Sequence, residues 1–572
     1  MRQPGRFKRQ YAAPKETSVP YLKPYDIFDY LPFAREHLSL RRSANLEELV
    51  LERDTLLLTC SGRNLGPVVA VDAYLRRFAL SHDVIRIRIP DPQTRWVALT
   101  FLNSPVGQEL IRRDRSGSVI DHIGVHDAEA IPMPALDGLT RHATAALAGA
   151  AVRAREQARI ILDHAAVAFE SGLAPLERTR PAGGWTVMSS EIHDRVDAAP
   201  YAPPTMAWAG AELVAGGTRL GDVARVDKPA SRYKAYHVSA KYGEPFLAGG
   251  QTGQWAVIGA KHMADRVFDD PDRYRLRAGQ VVFPADGRAH HGLGRCSMVT
   301  SERDGWLASE HVIRLTARPG VDPGWLFAAV SSEQVQEQIQ SLARGSVVDT
   351  LYSNDLENVV LPPAPTANAG GLGGDVAAAW DLFSVAESLT RKAVALMDSA
   401  LLGEGVDGSG PRSLLTTAEV ELVAGVAGVA GVAVGADTGG AQPVVGVTRA
   451  VDEATLALMD FIGGEVLEPS PVQRLPEGLL GVVTHRYANS VLALVDAQDH
   501  TPPFEVELGL EQFGQGSFHR SVPGLVFDWV STDRGTRAIP RPEVPVEGFD
   551  AQAWTQDALA FLDAESDSNA SD

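Results

Sequence analysis

The sequence predicts an α+β chain: two copies of a mixed α/β domain, each followed by a long helix, and a small acidic domain at the C-terminal end. Three features predict it. A long internal repeat runs through the first two thirds of the chain, an alanine-rich stripe follows each copy, and the negative charge is concentrated in residues 404–572.

The repeat has a period of about 228 residues and sets the whole reading, because a missed repeat misassigns the fold. Arg6-Phe7-Lys8 answers Arg232-Tyr233-Lys234, and Pro20-Tyr21-Leu22 answers Pro245-Phe246-Leu247. An apolar run closed by a glycine turn follows in both copies, Leu51–Gly66 and Leu276–Gly294, the second with three extra residues in its loop. From Leu65-Gly66 and Leu293-Gly294 the offset holds at 228: Ser81 with Ser309, Val84-Ile85-Arg86 with Val312-Ile313-Arg314, Gly117-Ser118-Val119 with Gly345-Ser346-Val347, Asp121 with Asp349, Asp127 with Asp355, and Pro134 with Pro362. Each pair alone is weak; many in order at one offset make two copies of one fold.

After the first copy, Leu147, Ala151, Ala154, Ala158, Ile161, Ala165 and Ala168 step by four and three; after the second, Leu382, Ala386, Leu389, Ala393, Leu396 and Ala400 do the same. That is a coiled-coil seam whose small residues allow close approach. Either each helix packs on its own domain or the two pack on each other, and their equivalent places favour the second. Residues 404–450 read as a Gly/Ala/Val-rich linker. In 451–572, Ser490–Asp496 and Phe504–Leu510 read as strands of a small domain.

A length of 572 residues suits roughly three or four domains. The net charge is −19, yet residues 404–572 hold 8 Arg, no Lys and 26 acidic residues, a net −18, so residues 1–403 are balanced at −1. Balance permits polyanion binding through local patches. Two distant cysteines, Cys60 and Cys296, make neither a disulfide framework nor a zinc set and fit a reducing cytoplasm. No apolar stretch is long enough to span a bilayer, and no secretory signal is visible.

The order of domains and helices, with the glycine-closed strand and the later Gly-Ser segment ending in prolines (GSVIDHIGVHDAEAIPMP; GSVVDTLYSNDLENVVLPP), resembles the specificity subunit of type I restriction–modification systems. The resemblance covers roughly residues 1–403. It implies target-recognition domains at 1–136 and 175–365, separated by long antiparallel coiled-coil helices at 137–174 and 375–403, each domain reading half of a bipartite site. It implies a cytoplasmic, non-catalytic DNA-binding subunit in phage defence. Its partners would be double-stranded DNA, two methyltransferase (modification) subunits docked on the helices, and a restriction/translocase subunit, with no membrane. No cofactor is expected on this chain; S-adenosylmethionine, ATP and Mg²⁺ would belong to the partners. Two features depart from the family. Copy two is preceded by Gly184-Trp185 and Leu220-Gly221-Asp222-Val223, an opening that copy one lacks: either the first domain is trimmed or the true start lies upstream of Met1. The acidic 451–572 segment has no counterpart and no role legible from its residues.

Candidate DNA contacts follow from residue type. Lys8, Arg9 and Lys234 sit in matched basic–aromatic clusters suited to phosphate, though a solvated strand fits as well. Arg63 and Asn64 in the first glycine loop, and Arg288, His290 and His291 in the second, have the groups that read guanine and adenine edges, or serve as ordinary turn residues. Ala154, Ala158, Ile161, Leu382, Leu389 and Leu396 mark the helix seam. His122, His126 and Glu129 have helical metal-ligand spacing, but their repeat partners include Thr350 and Asn354 and the surroundings are strand-like, so no metal is expected. No Gly-x-Ser-x-Gly elbow accompanies Ser116, Asp121 and His122, no Gly-Lys-Ser/Thr follows the Gly249–Gly253 run, and no Asn-Pro-Pro-aromatic motif occurs, so no catalytic residue is assigned. The alternatives are a catalytic activity in the C-terminal domain and a protein-binding scaffold.

Overall fold

The computed structural model describes residues 1–402 except 14–15, 44–45, 63–64, 114, 116–120, 175–183, 193–194, 230–234, 265–269, 290–291, 346–347 and 365–370; beyond 402 it describes the backbone of five strands. The chain is a mixed helix-and-strand structure.

The apolar run Leu56–Thr59 is buried at every position, as a strand covered on both faces must be. It lies between Val68–Ala70 and Val84–Ile87, antiparallel to both. A second sheet places Ser18–Leu22 between Glu36–Ser39, antiparallel, and Ala79–Leu80, parallel. The second half repeats this. Val281–Pro284 lies between Ser297–Met298 and Val312–Ala317. Glu244–Leu247 lies between Lys261–Met263, antiparallel, and Leu307–Ala308, parallel.

The details recur with the strands. Asp91 and Asp322 each cap a helix opened by proline, Pro92–Asn103 and Pro323–Ser331, by accepting from Thr94 N and Gly324 N at 2.7 Å. Ser104 and Ser332 each break that helix, donating to Phe101 O at 2.7 Å and Ala329 O at 2.8 Å, before Pro105–Arg113 and Glu333–Ser341. The edge differs. Ala224–Asp227 extends the second lobe's sheet alongside Val312–Ala317, whereas the equivalent position in the first carries only the Arg2–Arg86 bridge.

Gly138–Ser171 and Leu372–Leu402 are helices of 34 and 31 residues, about 51 and 46 Å long. They run antiparallel: Leu162, Ala165 and Phe169 border the same space as Val376, whereas Ala148, Ala151 and Arg155 border Thr390 and Ala393. Ala154, Ala158, Leu382, Leu389 and Leu396 are buried; Ile161 is half-buried, its neighbour Leu162 takes the inner position, and Ala168 and Ala400 are exposed. Burial is wider than a two-helix seam. Ala146, Ala148, Ala150, Val152, Arg155, Glu156 and Arg159 are buried too, because the lobes pack against the same helices.

The helices therefore do not hold the lobes apart by their full length. The lobes touch through a short clasp in which Tyr30 N donates to Gly253 O at 2.7 Å and Trp255 N to Phe28 O at 2.9 Å. Phe28–Tyr30 and Gly253–Trp255 occupy equivalent places in the two copies, 225 residues apart, so the two bonds are images of each other about an approximate two-fold axis. Arg159, fully buried, donates to Tyr30 O at 2.8 Å and Asp29 O at 2.7 Å and pairs with buried Asp72. Across the axis, Glu387 accepts from Tyr30, from Arg303 at 2.8 Å and from Thr300 at 2.7 Å.

In the acidic segment, Ser490–Asp496 and Phe504–Gly509 are strands of a five-stranded antiparallel sheet with Leu480–Arg486, Val526–Thr532 and Gly535–Pro540. The 404–450 linker lies outside the described residues.

Replacing Arg159 with Leu takes away the guanidinium that pairs with buried Asp72, and should destabilise the fold by about 3–5 kcal/mol. Denaturant unfolding reads this, and the double variant Arg159→Leu/Asp72→Leu should recover part of the loss. Asp29 offers a second test. Burial, then the neighbouring Asp26 charge, pushes its carboxyl up to about 7. The native state thus binds a proton more tightly than the unfolded chain, so this contribution is complete below about pH 4 and disappears as pH rises through 7. Between pH 4.5 and 7.5 the wild type should lose stability that Asp29→Asn does not, as urea midpoints at the two pH values would show.

Candidate nucleic-acid interface

The basic–aromatic segment of the first copy runs from the glycine loop to the sheet edge. Gln3 Nε2 reaches Cys60 Sγ and His82 O, Phe7 packs edge-on against His82 and Tyr21, and Arg9 donates to Tyr21 OH at 3.2 Å. Tyr11 then bridges to Leu38 at the open side of the sheet. Lys8 and Arg9 are exposed along this line. Lys234 lies outside the described residues, but His237–Val238, just after it, pairs with Lys261–Met263 on the same side of the second sheet. There Lys241, Tyr242 and Lys261 are exposed, and partial burial together with the Lys261 charge holds His237 below its ordinary pKa. Both lobes thus present a cationic, aromatic sheet edge to solvent.

The glycine loops rest on a shared anchor. Gln108 Nε2 donates to Gly66 O at 2.8 Å and Leu102 O at 2.6 Å; Gln336 Nε2 donates to Gly294 O at 3.0 Å and Val330 O at 2.8 Å. Every partner in the second set lies 228 residues beyond its counterpart. Gly66 and Gly294 adopt φ of +119° and +79°, where a side chain is strained, and a Cβ would come within 2.7 Å of Gln108 Oε1 or 2.8 Å of Ile339 Cγ2. At its base the first loop pairs Ser61 with His122, and the second pairs Asp286-Gly287 with Asp349-Thr350.

Arg288 is exposed at the base of the second loop, whereas Arg63, Asn64, His290 and His291 lie outside the described residues. His122 sits in the bridge to Ser61 and His126 on the short helix Val125–Glu129; among the described residues no three His, Cys, Asp or Glu side chains form a group that could hold a metal. Ser116 lies outside the described residues. Burial pushes both Cys60 and Cys296 up to about 12, which keeps them as unreactive thiols. No helix of the described residues is long and apolar enough to cross a membrane.

No protein-family model matches the chain, and no curated protein sequence matches it. Solved structures do. The S subunit of a type I restriction–modification system from M. genitalium matches at 12% identity, over 73% of this chain and 92% of that one, with a TM-score of 0.24. The HsdS subunit from Thermoanaerobacter tengcongensis matches at 14% identity, over 70% and 94%, with a TM-score of 0.23. A chain from a structure of type I R-M complex assembly and conformational transition matches at 15% identity, over 70% and 98%, with a TM-score of 0.22. Two of these neighbours are S (HsdS) subunits, and all three cover most of the chain at low identity and low TM-score.

Sequence reasoning missed Gln108 and Gln336, although both stand at the common 228-residue offset. It also missed the charges inside the first helix. Arg155 lies 3.7 Å from the Trp255 ring centroid, and Glu156 pairs with Arg53 at 3.1 Å. Near that helix's C-terminal end a cleft of about 740 Å³ opens among Phe33, Phe169, Phe327 and the carboxylates Asp163, Glu170 and Glu337. The equivalent place in the other half, beside Asn103, Arg155 and Trp255, closes to about 30 Å³.

Alanine at Gly66 or Gly294 must displace the anchoring contact and strain the loop, at a cost of about 1–3 kcal/mol. Each variant should lower the melting temperature, and a duplex-binding titration should show weaker binding even at temperatures where the variant stays folded.

Proposed function

We propose that the chain is the sequence-specific DNA-binding specificity subunit of a type I-like restriction–modification complex. Each lobe reads one half of a bipartite target, and the chain has no catalytic centre of its own. The observation that carries this reading is one scaffold used twice with unlike loops. The hydrogen bonds that hold Gly66 and Gly294 are the same, while the residues they position differ in kind and number. A protein selected only for stability has no need to vary those positions and keep their anchors. A reader of two different half-sites does, because phosphate contacts position and base contacts specify.

The approximate two-fold axis fits a duplex, whose backbone has its own local dyads, so two equivalent lobes meet the two strands in the same sense. The cationic edges with Lys8, Arg9 and Lys241 suit the phosphate backbone, and Arg288, with the loop residues that follow it in sequence, suits base edges. Two methyltransferase subunits dock along the helix pair in this reading, and a restriction/translocase subunit joins them in the cytoplasm. S-adenosylmethionine, ATP and Mg²⁺ are held by those partners. The cleft of about 740 Å³ gives one docking position a recess that the other lacks.

Co-expression with the methyltransferase encoded beside this chain, followed by single-molecule mapping of methylated bases, tests the assignment. Two short half-sites around a fixed gap are expected; no new methylation with both proteins soluble overturns it. With purified full-length chain, Lys8→Ala and Arg9→Ala should each weaken binding to all duplexes alike. Each should also lower the slope of log affinity against log salt by about one.

A further inference from the structure

The second lobe carries a side-chain network that the described residues of the first, built on the same scaffold, do not repeat. Tyr352 is 48% exposed, and two cations lie near its ring, with Lys228 Nζ at 5.3 Å and the Arg344 guanidinium at 5.2 Å from the centroid. Both cations are fixed from behind. Lys228 donates to Leu351 O at 3.0 Å and lies 3.9 Å from Asp286. Arg344 pairs with both carboxylate oxygens of Asp355, which Arg195 also contacts at 3.4 Å. Asp286 in turn accepts from Thr350 at 2.6 Å and holds His311 Nδ1 at 2.5 Å. Two members of the network, Asp286 and Thr350, sit on the strand pair that bears the second glycine loop.

The fold does not require it. In the first lobe the same backbone pairing is made with Ser61 where the second has Asp286, Asp83 in place of His311, Gln3 in place of Lys228, and Gly124 in place of Tyr352. An exposed ring alone is ordinary surface. A ring flanked by two hydrogen-bonded cations, where the first copy has only Gly124, is a rigid platform. Rigid aromatic faces backed by cations suit contact with stacked bases.

Resting on the DNA-reader assignment, we propose that Tyr352 is a specificity-determining residue of the second half-site. It is set against the bases beside Arg288 by Lys228 and Arg344, where the first lobe has Gly124.

The test is selection of a random-sequence duplex library by the purified full-length chain. Wild type should select two half-motifs. Tyr352→Ala should blur one half only and lower affinity for the wild-type duplex on the order of ten-fold, and Tyr352→Phe, which keeps the ring, should select the wild-type motif. An unchanged motif in Tyr352→Ala, or equal blurring of both halves, overturns the proposal while leaving the reader assignment intact. Failure of the wild type to select any motif overturns both.

Discussion

The buried guanidinium of Arg159 ties together the parts on which the architecture rests. It projects from the first long helix, neutralises Asp72 in the first lobe, and caps the carbonyls of Asp29 and Tyr30 as they enter the clasp with the second lobe. A charge taken from water is costly unless its hydrogen bonds are met, and here two carbonyls and a carboxylate meet them. Buried alanines of the first helix face larger side chains such as Trp380, Phe383 and Leu389 on the second. Arg159 on one helix and Glu387 on the other, at equivalent positions and of opposite charge, add polar contacts to that packing. Polar keys thus supplement the apolar seam, which supplies the adhesion.

This arrangement separates what must be constant from what can vary. Caps, helix breaks and glycine anchors recur between the lobes, so the loops are tied to the same scaffold. The residues on it diverge freely. The lobes differ also at their margins: among the described residues the second has an added edge strand, and the cleft of one half is nearly closed in the other. Approximate symmetry thus describes the frame better than the surfaces that meet other molecules.

Much of the frame was legible in the sequence, because repeat equivalence constrains it twice. The buried strands, the glycine turns and the inner positions Ala154, Ala158, Leu382, Leu389 and Leu396 follow from apolar spacing. What was not legible has a common physical cause: it depends on neighbours distant in the chain. The run Arg153-Ala154-Arg155-Glu156-Gln157-Ala158-Arg159 reads as the solvated side of an amphipathic helix, yet Arg155, Glu156 and Arg159 are buried, because lobes cover the faces that a lone helix pair would expose. The clasp joins Phe-Asp-Tyr to Gly-Gln-Trp, two equivalent segments with no residue in common, since main-chain bonds need no particular side chain. Gln108 and Gln336 share an offset but no unusual chemistry, and only their backbone partners give them meaning.

The contact between Tyr30 and Glu387 closes a loop of 357 residues, and this bears on how the chain is made. At ribosomal rates of about 5–20 residues per second, roughly 20–70 s pass between the synthesis of the two partners. Throughout that interval the first lobe must keep the Tyr30 ring, which later packs on Trp380 and Phe383, without its mate. The nascent protein therefore carries a tyrosine ring whose aromatic cover is still being translated.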